Sequence, residues 1–392
     1  MNTDFKAEVT FFISITVNGT FLNNFRNTQL IKRRNYPVEE HQIDTSDGYV
    51  LKSFRIPNPN QPGEVALIVH GLASSADDWI TVGDSALPYY LNDNGFDVWL
   101  FNARGTRHSR KHRKLDPDKD ASTFWNFSWD EIGLYDLPAT INYILKITGK
   151  DKLYYVGHSQ GGTSCLVLLS SIDEMNGKLT AAALLAPAAY FEDQTVLLKL
   201  SIILYSPNTH NTIFSEFPPK TIFFSNDLSK GFCSLPGIRI FCYNSIYFGN
   251  QLDQHPIDQK LIPVIVQHAP STFSTKQIHH YTQIMESREF KRFNYGRREN
   301  LRKYGTPKPP MYNLSNIKVP MLLFYGSGDF LASPMSVKRL ATELKNDHEV
   351  IRVDFDGFDH VDFLWARNVK GLIYVKILNF FKKFVSKNGQ DD

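Results

Sequence analysis

The chain has 392 residues, 42% of them hydrophobic, with 43 lysines and arginines against 40 acidic residues and a formal net charge of +3. That apolar content supports a large buried core and excludes a disordered chain, and the length suits one large α/β domain with an insertion, or two domains. A charge so close to neutrality gives no reason to expect a nucleic-acid partner.

Residues 1–35 form an N-terminal segment of two possible meanings. The apolar run 9–17, interrupted by Thr10, Ser14 and Thr16, is too short to span a bilayer but has the length of a secretory h-region. Asp4 and Glu8 against Lys6 leave the preceding stretch without the positive charge that a signal peptide wants. Three N-x-S/T sequons, at Asn18, Asn126 and Asn313, favour the secretory route, although each is a pattern that recurs by chance.

Residues 36–188 read as the first part of an α/β core. Two alternating runs around Ser46-Asp47-Gly48 predict a hairpin at the antiparallel edge of a sheet. Residues 65–69 are a continuous apolar run of the kind buried in a parallel sheet. His70-Gly71-Leu72 follows directly. A helix around 84–94, a strand at 96–101 and a helix around 135–148 continue the alternation, which argues for a parallel sheet covered on both faces. The basic cluster Arg104, Arg107, Arg110, Lys111, Arg113 and Lys114 is read as a solvated loop, with contact to anionic lipid headgroups as the alternative.

An apolar strand at 153–156 and a helix at 160–171 are separated only by Gly157-His158-Ser159. The chain must reverse sharply at Ser159, and glycine at 157 and 161 removes the side chains that would obstruct the turn. This G-x-S-x-G elbow would hold the serine hydroxyl at the top of the sheet, with the N-terminus of the helix aimed at developing negative charge. The backbone N–H groups of Leu72 and Gln160 are the candidate oxyanion donors.

After a strand at 180–185 the character changes. Residues 189–317 lose the alternation, become rich in Phe, Tyr, Pro and Asn, and read as an inserted helical cap and lid. Its segment 214–246 is strongly aromatic and aliphatic, which suits either a hydrophobic substrate or plain packing of the cap on the core. Cys233 and Cys242, nine residues apart around Pro236-Gly237, are expected to form a disulfide, and Cys165 a buried thiol. No ligand set for zinc accompanies them.

Residues 318–387 resume the core, with a strand at 319–325, a helix at 335–344, a last strand at 350–355 and an amphipathic helix at 366–385. Asp329 directly follows the first of these strands and His360 sits in the loop after the second. A serine hydroxyl needs a base to take its proton, and a histidine oriented by a carboxylate supplies one near neutral pH. Ser159, Asp329 and His360 stand in the chain order this fold requires. Asp193 and Asp356 are the competing acids. His268, His279, His280 and His158 are the competing bases, all read as structural.

With these residues placed, the chain resembles the animal acid lipase family, the lysosomal and gastric type, from about residue 36 to residue 383. The resemblance rests on Asp47-Gly48-Tyr49, His70-Gly71-Leu72, Trp79, Gly95-Phe96-Asp97-Val98-Trp99, Asn102-Ala103-Arg104-Gly105, Ser109-Arg110-Lys111-His112 and Phe124-Trp125. Tyr135-Asp136-Leu137-Pro138-Ala139, the elbow, Gly326-Ser327-Gly328-Asp329 and His360 with Asp362-Phe363 complete it. It implies an α/β-hydrolase core with mostly parallel sheet, hydrolysis of triglycerides or cholesteryl esters, a cap disulfide and N-glycosylation on a secretory or lysosomal route. The chain departs from the family at Gly162, where threonine is common, a change expected to touch local packing only.

The expected function is a serine lipase acting without a metal or organic cofactor. It would be a monomer that meets its lipid ester at a droplet or membrane surface. An esterase or thioesterase for shorter acyl groups is the alternative within enzymes, and a catalytically silent lipid carrier the alternative outside them.

Overall fold

The computed structural model describes residues 27–58, 63–192, 214–217, 226–235, 238–239, 242 and 256–385. Asn18 and the apolar run 9–17 lie outside them, as do Asp193 and much of the aromatic stretch 214–246.

The described residues form ten strands: β1 (Glu39–Asp44), β2 (Val50–Ile56), β3 (Glu64–Val69), β4 (Phe96–Leu100), β5 (Leu153–His158), β6 (Leu179–Leu185), β7 (Glu216–Phe217), β8 (Phe273–Ser274), β9 (Met321–Tyr325) and β10 (His348–Arg352). Eight make one sheet in the order β1-β2-β4-β3-β5-β6-β9-β10. Only β1 with β2 and β2 with β4 run antiparallel. β7 and β8 form a separate two-stranded ladder. β3, β4, β5 and β6 are apolar almost throughout because helices cover both faces. The predicted α/β-hydrolase sheet, with its antiparallel edge hairpin, is therefore present.

The strand order dictates where a site can form. From β3 the chain moves outward to β4, then returns to place β5 on the other side of β3. The crossovers diverge there and leave a crevice at the carboxyl ends of β3 and β5, the usual ligand position in such sheets. His70-Gly71-Leu72 leaves β3 at that end and Ser159 leaves β5 there.

Several elements shift by a few residues from their predicted bounds, and two of them near the C-terminus show why. The last strand spans His348–Arg352, not 350–355, because pairing with Met321–Tyr325 sets its register and its edge position tolerates polar residues. The predicted helix 366–385 begins late. Ala366 bridges to Ile257 and the Arg367 N–H donates to the Pro256 carbonyl at 2.9 Å, which draws the chain out of helical geometry. A π-helical turn at Lys370–Tyr374 then leads into the helix Val375–Lys382, whose Ile377, Leu378, Phe380 and Phe381 are buried.

The basic loop is solvated as expected at Lys111, Arg113 and Lys114, which are exposed, but not at Arg104, which is buried, nor fully at Arg107 and Arg110, which are half-buried. Arg104 is 1% exposed and lies between Asp47 and Asp136, with Nη1 to Asp47 Oδ2 at 2.6 Å and Nη2 to Asp136 Oδ1 at 2.6 Å. Arg110 pairs with Asp118 and Glu216, and Arg113 with Asp44. These guanidinium groups fasten the loop to the protein, a use of bidentate geometry that a count of charges does not reveal.

Between β6 and β9 lie the helices Asn226–Ser234, Ile262–His268, Thr275–Ser287 and Arg297–Tyr304. Cys233 and Cys242 form a disulfide there, with Cα atoms 5.9 Å apart. Cys165 is a buried free thiol.

Candidate active site

Ser159 has φ 51° and ψ −116°, a left-handed conformation that a side chain avoids unless its surroundings impose it. The surroundings are tight. Its N–H donates to the Leu185 carbonyl at 2.8 Å, and its carbonyl accepts from Gly162 and Thr163 N–H at 2.9 and 3.2 Å. A Cβ at Gly161 would lie 2.5 Å from the Val69 carbonyl oxygen, and one at Gly157 would lie 2.7 Å from the Gly161 carbonyl carbon. The elbow glycines are thus required by backbone packed on backbone. Gly162 meets Pro187, where a Cβ would stand 2.8 Å from the proline Cβ.

The candidate base and its carboxylate are brought together from two loops. His360 Nδ1 lies 2.8 Å from Asp329 Oδ2, and Asp329 Oδ1 accepts from Leu331 and Ala332 N–H at 2.9 and 2.8 Å. Gly328 permits the approach of the loops, since a Cβ there would lie 2.4 Å from the Gly357 carbonyl oxygen. Asp329 is 2% and His360 6% exposed. Burial disfavours the imidazolium, but Asp329 and then Asp359 outweigh it and raise His360 above its ordinary value. The arrangement holds the proton on Nδ1 and leaves Nε2 to serve as the base.

His158 is the tie between this pair and the elbow. Its Nε2 donates to the His360 carbonyl at 2.9 Å, and the two rings lie 4.8 Å apart. Burial first, and then the neighbouring His360 and His70 rings, which would repel a second imidazolium, hold His158 far below the usual histidine range, so it acts as a neutral donor. The expected structural role of His158 is accordingly a specific one, fastening the histidine loop one residue from the candidate nucleophile.

The loop after β3 passes directly over the serine. A Cβ on Gly71 would lie 3.1 Å from Ser159 Cβ. His70 Nδ1 is 2.8 Å from the Gly71 carbonyl oxygen, and His70 Nε2 accepts from the Ala103 N–H at 3.1 Å. Those partners assign the neutral tautomer protonated on Nδ1, and burial accordingly holds the ring down at about 4. The Gly71 carbonyl and the Leu72 N–H belong to one planar peptide, so His70 orients a candidate oxyanion donor. Leu72 and Gln160 line one small cavity with Gln277 and Thr272. Gln160 opens a helix of 12 residues whose dipole adds to the positive potential there.

Sequence reasoning had no means of finding the latch that seats the cap beside this loop. Asp77 accepts from His108 Nε2 at 2.7 Å and from His268 Nδ1 at 2.9 Å, and Ser271 N–H donates to the Ala73 carbonyl at 2.7 Å. Arg107 reaches the carbonyls of Gln267, His268 and Pro270. Burial opposes ionisation of Asp77, yet the two histidines and Arg107 hold its carboxyl well below the usual range. The neighbouring Asp78 is buried beside that charge and pushed up to about 6.

The rival residues lie elsewhere. His280 stacks on Trp129 at 3.7 Å and bonds Ser128 and the Lys291 carbonyl, and His279 packs against Phe214 and Phe293. Asp356 is exposed and paired with Arg352. Among the described residues no group of three histidine, cysteine or acidic side chains is arranged to hold a metal, and no helix is long and apolar enough to cross a membrane.

Residues 65–366 match the alpha/beta hydrolase fold family, and residues 27–83 match the partial alpha/beta-hydrolase lipase region. Lipase 1 of Drosophila melanogaster is 35% identical over 359 residues, which cover 91% of this chain and 79% of the fly protein. Gastric triacylglycerol lipase of Bos taurus is 34% identical, covering 90% of each chain. Lysosomal acid lipase/cholesteryl ester hydrolase of Macaca fascicularis is 31% identical, covering 92% of each. Among solved structures, a Pyrococcus furiosus esterase superposes with a TM-score of 0.51 at 14% identity over 93% of this chain and 96% of its own. A bacterial membrane phospholipase A superposes at 0.53 and 14% identity, over 99% of this chain and 100% of its own. At that identity these two structures speak to the fold alone.

Proposed function

The chain belongs to the α/β-hydrolase lipases, and from that premise we propose that it hydrolyses the carboxylic ester bonds of neutral lipids, triglycerides or sterol esters, through an acyl-enzyme on Ser159. The observation that carries the site assignment is the 2.8 Å contact of His360 Nδ1 with Asp329 Oδ2, tied through His158 to the strained elbow.

In this scheme Ser159 Oγ attacks the ester carbonyl while His360 Nε2 takes its proton. Asp329 keeps the ring in the productive tautomer and stabilises the imidazolium. The oxyanion accepts from the Leu72 and Gln160 N–H groups, each such donor being worth roughly 3 kcal/mol of barrier. His360 then returns its proton to the leaving alcohol. Water, deprotonated by the same histidine, attacks the acyl-enzyme, and as the Ser159 Oγ–acyl bond breaks and the acid leaves, the histidine returns that proton to Ser159 Oγ. The cycle balances without a metal or organic cofactor.

We assign the enzyme to the secretory route, secreted or lysosomal, acting as a monomer that visits a droplet or membrane surface. The disulfide suits an oxidising compartment. Asn126 and Asn313 are exposed and accessible to glycan. Asn126 Oδ1 accepts from Lys276 Nζ at 3.0 Å, a bond that glycosylation of the amide nitrogen leaves in place.

The test is hydrolysis of emulsified long-chain triglyceride and cholesteryl ester, across acid to neutral pH, by the wild-type protein and by Ser159→Ala. Turnover that vanishes in the variant supports the serine mechanism, and the ratio of the two rates identifies the alcohol. A well-folded wild-type protein that turns over neither lipid, yet cleaves soluble short-chain esters, would overturn the lipase reading in favour of an esterase.

A further inference from the structure

The Leu72 donor is oriented by His70, and the Gln160 N–H shares its peptide with the Ser159 carbonyl, which accepts from Gly162 and Thr163 N–H at 2.9 and 3.2 Å. Ser159 N–H donates to the Leu185 carbonyl of β6, and the Tyr155 hydroxyl donates to the Gly161 carbonyl at 2.7 Å. The Gln160 N–H belongs to the peptide that follows a strained residue. Such a residue keeps its geometry only where neighbouring contacts over-determine it.

One contact reaches Gln160 from outside the core. Its Nε2 donates to Gln277 Oε1 at 2.6 Å. Both side chains are nearly sealed from solvent, 4% and 2% exposed, and both line the cavity that Leu72 also lines. The other amide atom of Gln160, Oε1, has no partner among the described residues, so the side chain's orientation rests on Gln277.

Gln277 is held on a rigid support. It lies in the first turn of the cap helix Thr275–Ser287, whose N-cap Ser274 donates from Oγ to the Trp125 carbonyl at 2.5 Å. The adjacent Lys276 is buried against Asn126 and Tyr295. One turn further on, the Tyr281 hydroxyl lies 3.1 Å from Thr163 Oγ1. The cap helix therefore grips the first turn of the nucleophile helix at two points, and Gln277 is the one that touches the candidate oxyanion donor.

We propose that Gln277 is a positioning residue of the reaction: its bond to the Gln160 side chain adds to the backbone ties of the Ser159 carbonyl in holding the Gln160 peptide in the orientation that receives the oxyanion, so that the cap takes part in building the oxyanion hole. The proposal rests on the serine-hydrolase reading above. It assigns Gln277 no contact with substrate, and it places the benefit in the transition state, where the oxyanion exists.

The test uses the full chain and soluble p-nitrophenyl butyrate, which frees the measurement from interfacial binding. Gln277→Leu removes the acceptor at similar volume, Gln277→Glu restores an acceptor oxygen, and Tyr281→Phe removes the second grip without touching Gln160. Expected for Gln277→Leu are a fall in kcat of about tenfold, KM within about twofold of wild type, and weaker binding of an alkyl boronic acid by the same factor as kcat. Gln277→Glu recovers part of the loss, and Tyr281→Phe lowers the melting temperature with kcat within about twofold.

A folded Gln277→Leu protein with unchanged kcat and boronate affinity sinks the proposal, as does an equal loss of kcat in Tyr281→Phe, which would reduce Gln277 to cap seating. Should Gln277→Leu fail to fold, Gln277→Ser is judged by the same criteria. Wild-type turnover and its loss in Ser159→Ala report on the underlying reading separately. A Ser159→Ala protein that keeps full activity overturns that reading and this proposal together.

Discussion

His70 and Gly71 are adjacent in sequence, yet the 2.8 Å contact from His70 Nδ1 to the Gly71 carbonyl oxygen sets the direction of the N–H on the next residue, Leu72. The ring can do this only while Nε2 stays free to accept from Ala103 N–H, that is, while it is neutral. His70→Phe keeps the ring's bulk and loses both bonds. A fall in kcat of about 10²-fold with little change in KM is expected, the size seen when one oxyanion donor is lost. Steady-state kinetics on a soluble ester checks it, and an unchanged kcat would remove His70 from the site. The folded value of about 4 lies below the ordinary 6.5. The stability this histidine contributes is therefore complete above pH 6.5 and is lost as the pH falls through 4.

His360 runs the other way. Its folded value is raised, so the stability of its pairing with Asp329 is complete below pH 6.5 and is lost as the pH rises through the folded value. In the proposed mechanism catalysis needs the neutral ring. The acidic limb of kcat/KM on a soluble ester should therefore have its midpoint above pH 6.5, and a midpoint below 6 would contradict the assignment. Asp329→Asn, which favours the wrong tautomer, should lower kcat by about 10⁴-fold.

Asp78 is buried beside Asp77, with Oδ1 unpartnered among the described residues, and its value of about 6 lies above the ordinary 3.8. The neutral form's contribution is complete below pH 3.8 and disappears as the pH rises through 6. Asp78→Asn keeps an acceptor for the Ser74 hydroxyl. It should stabilise the protein by roughly 3 kcal/mol at pH 7 and leave stability near pH 3.5 unchanged. Denaturant titrations at the two pH values measure the difference.

Gly162→Thr brings a side chain into the space occupied by Pro187. Overpacking of this kind costs about 1–3 kcal/mol, so the variant should unfold at lower denaturant while still reacting with a fluorophosphonate at Ser159. A variant as stable as the wild type would mean that the proline strand end yields freely.

Much of this protein was legible in the sequence because it is encoded locally. The alternation of β3, β4, β5 and β6 with helices and the tight strand-to-helix turn at Ser159 follow from residue type and short spacing. What the tertiary structure alone decided involves partners far apart in the chain. His158 meets His360 across 202 positions, Gln160 meets Gln277 across 117, and Asp77 meets His268 across 191. The same holds for Arg104 and Arg110 of the basic loop, which read as solvated in the sequence but meet Asp47, Asp136 and Glu216 in the fold. It holds also for the late start of the last helix, where the cap residues Pro256 and Ile257 capture the backbone first. A sequence specifies which groups can donate, accept or ionise, whereas burial and packing determine which of them meet, and with that the direction of each candidate oxyanion N–H and the charge state of each histidine.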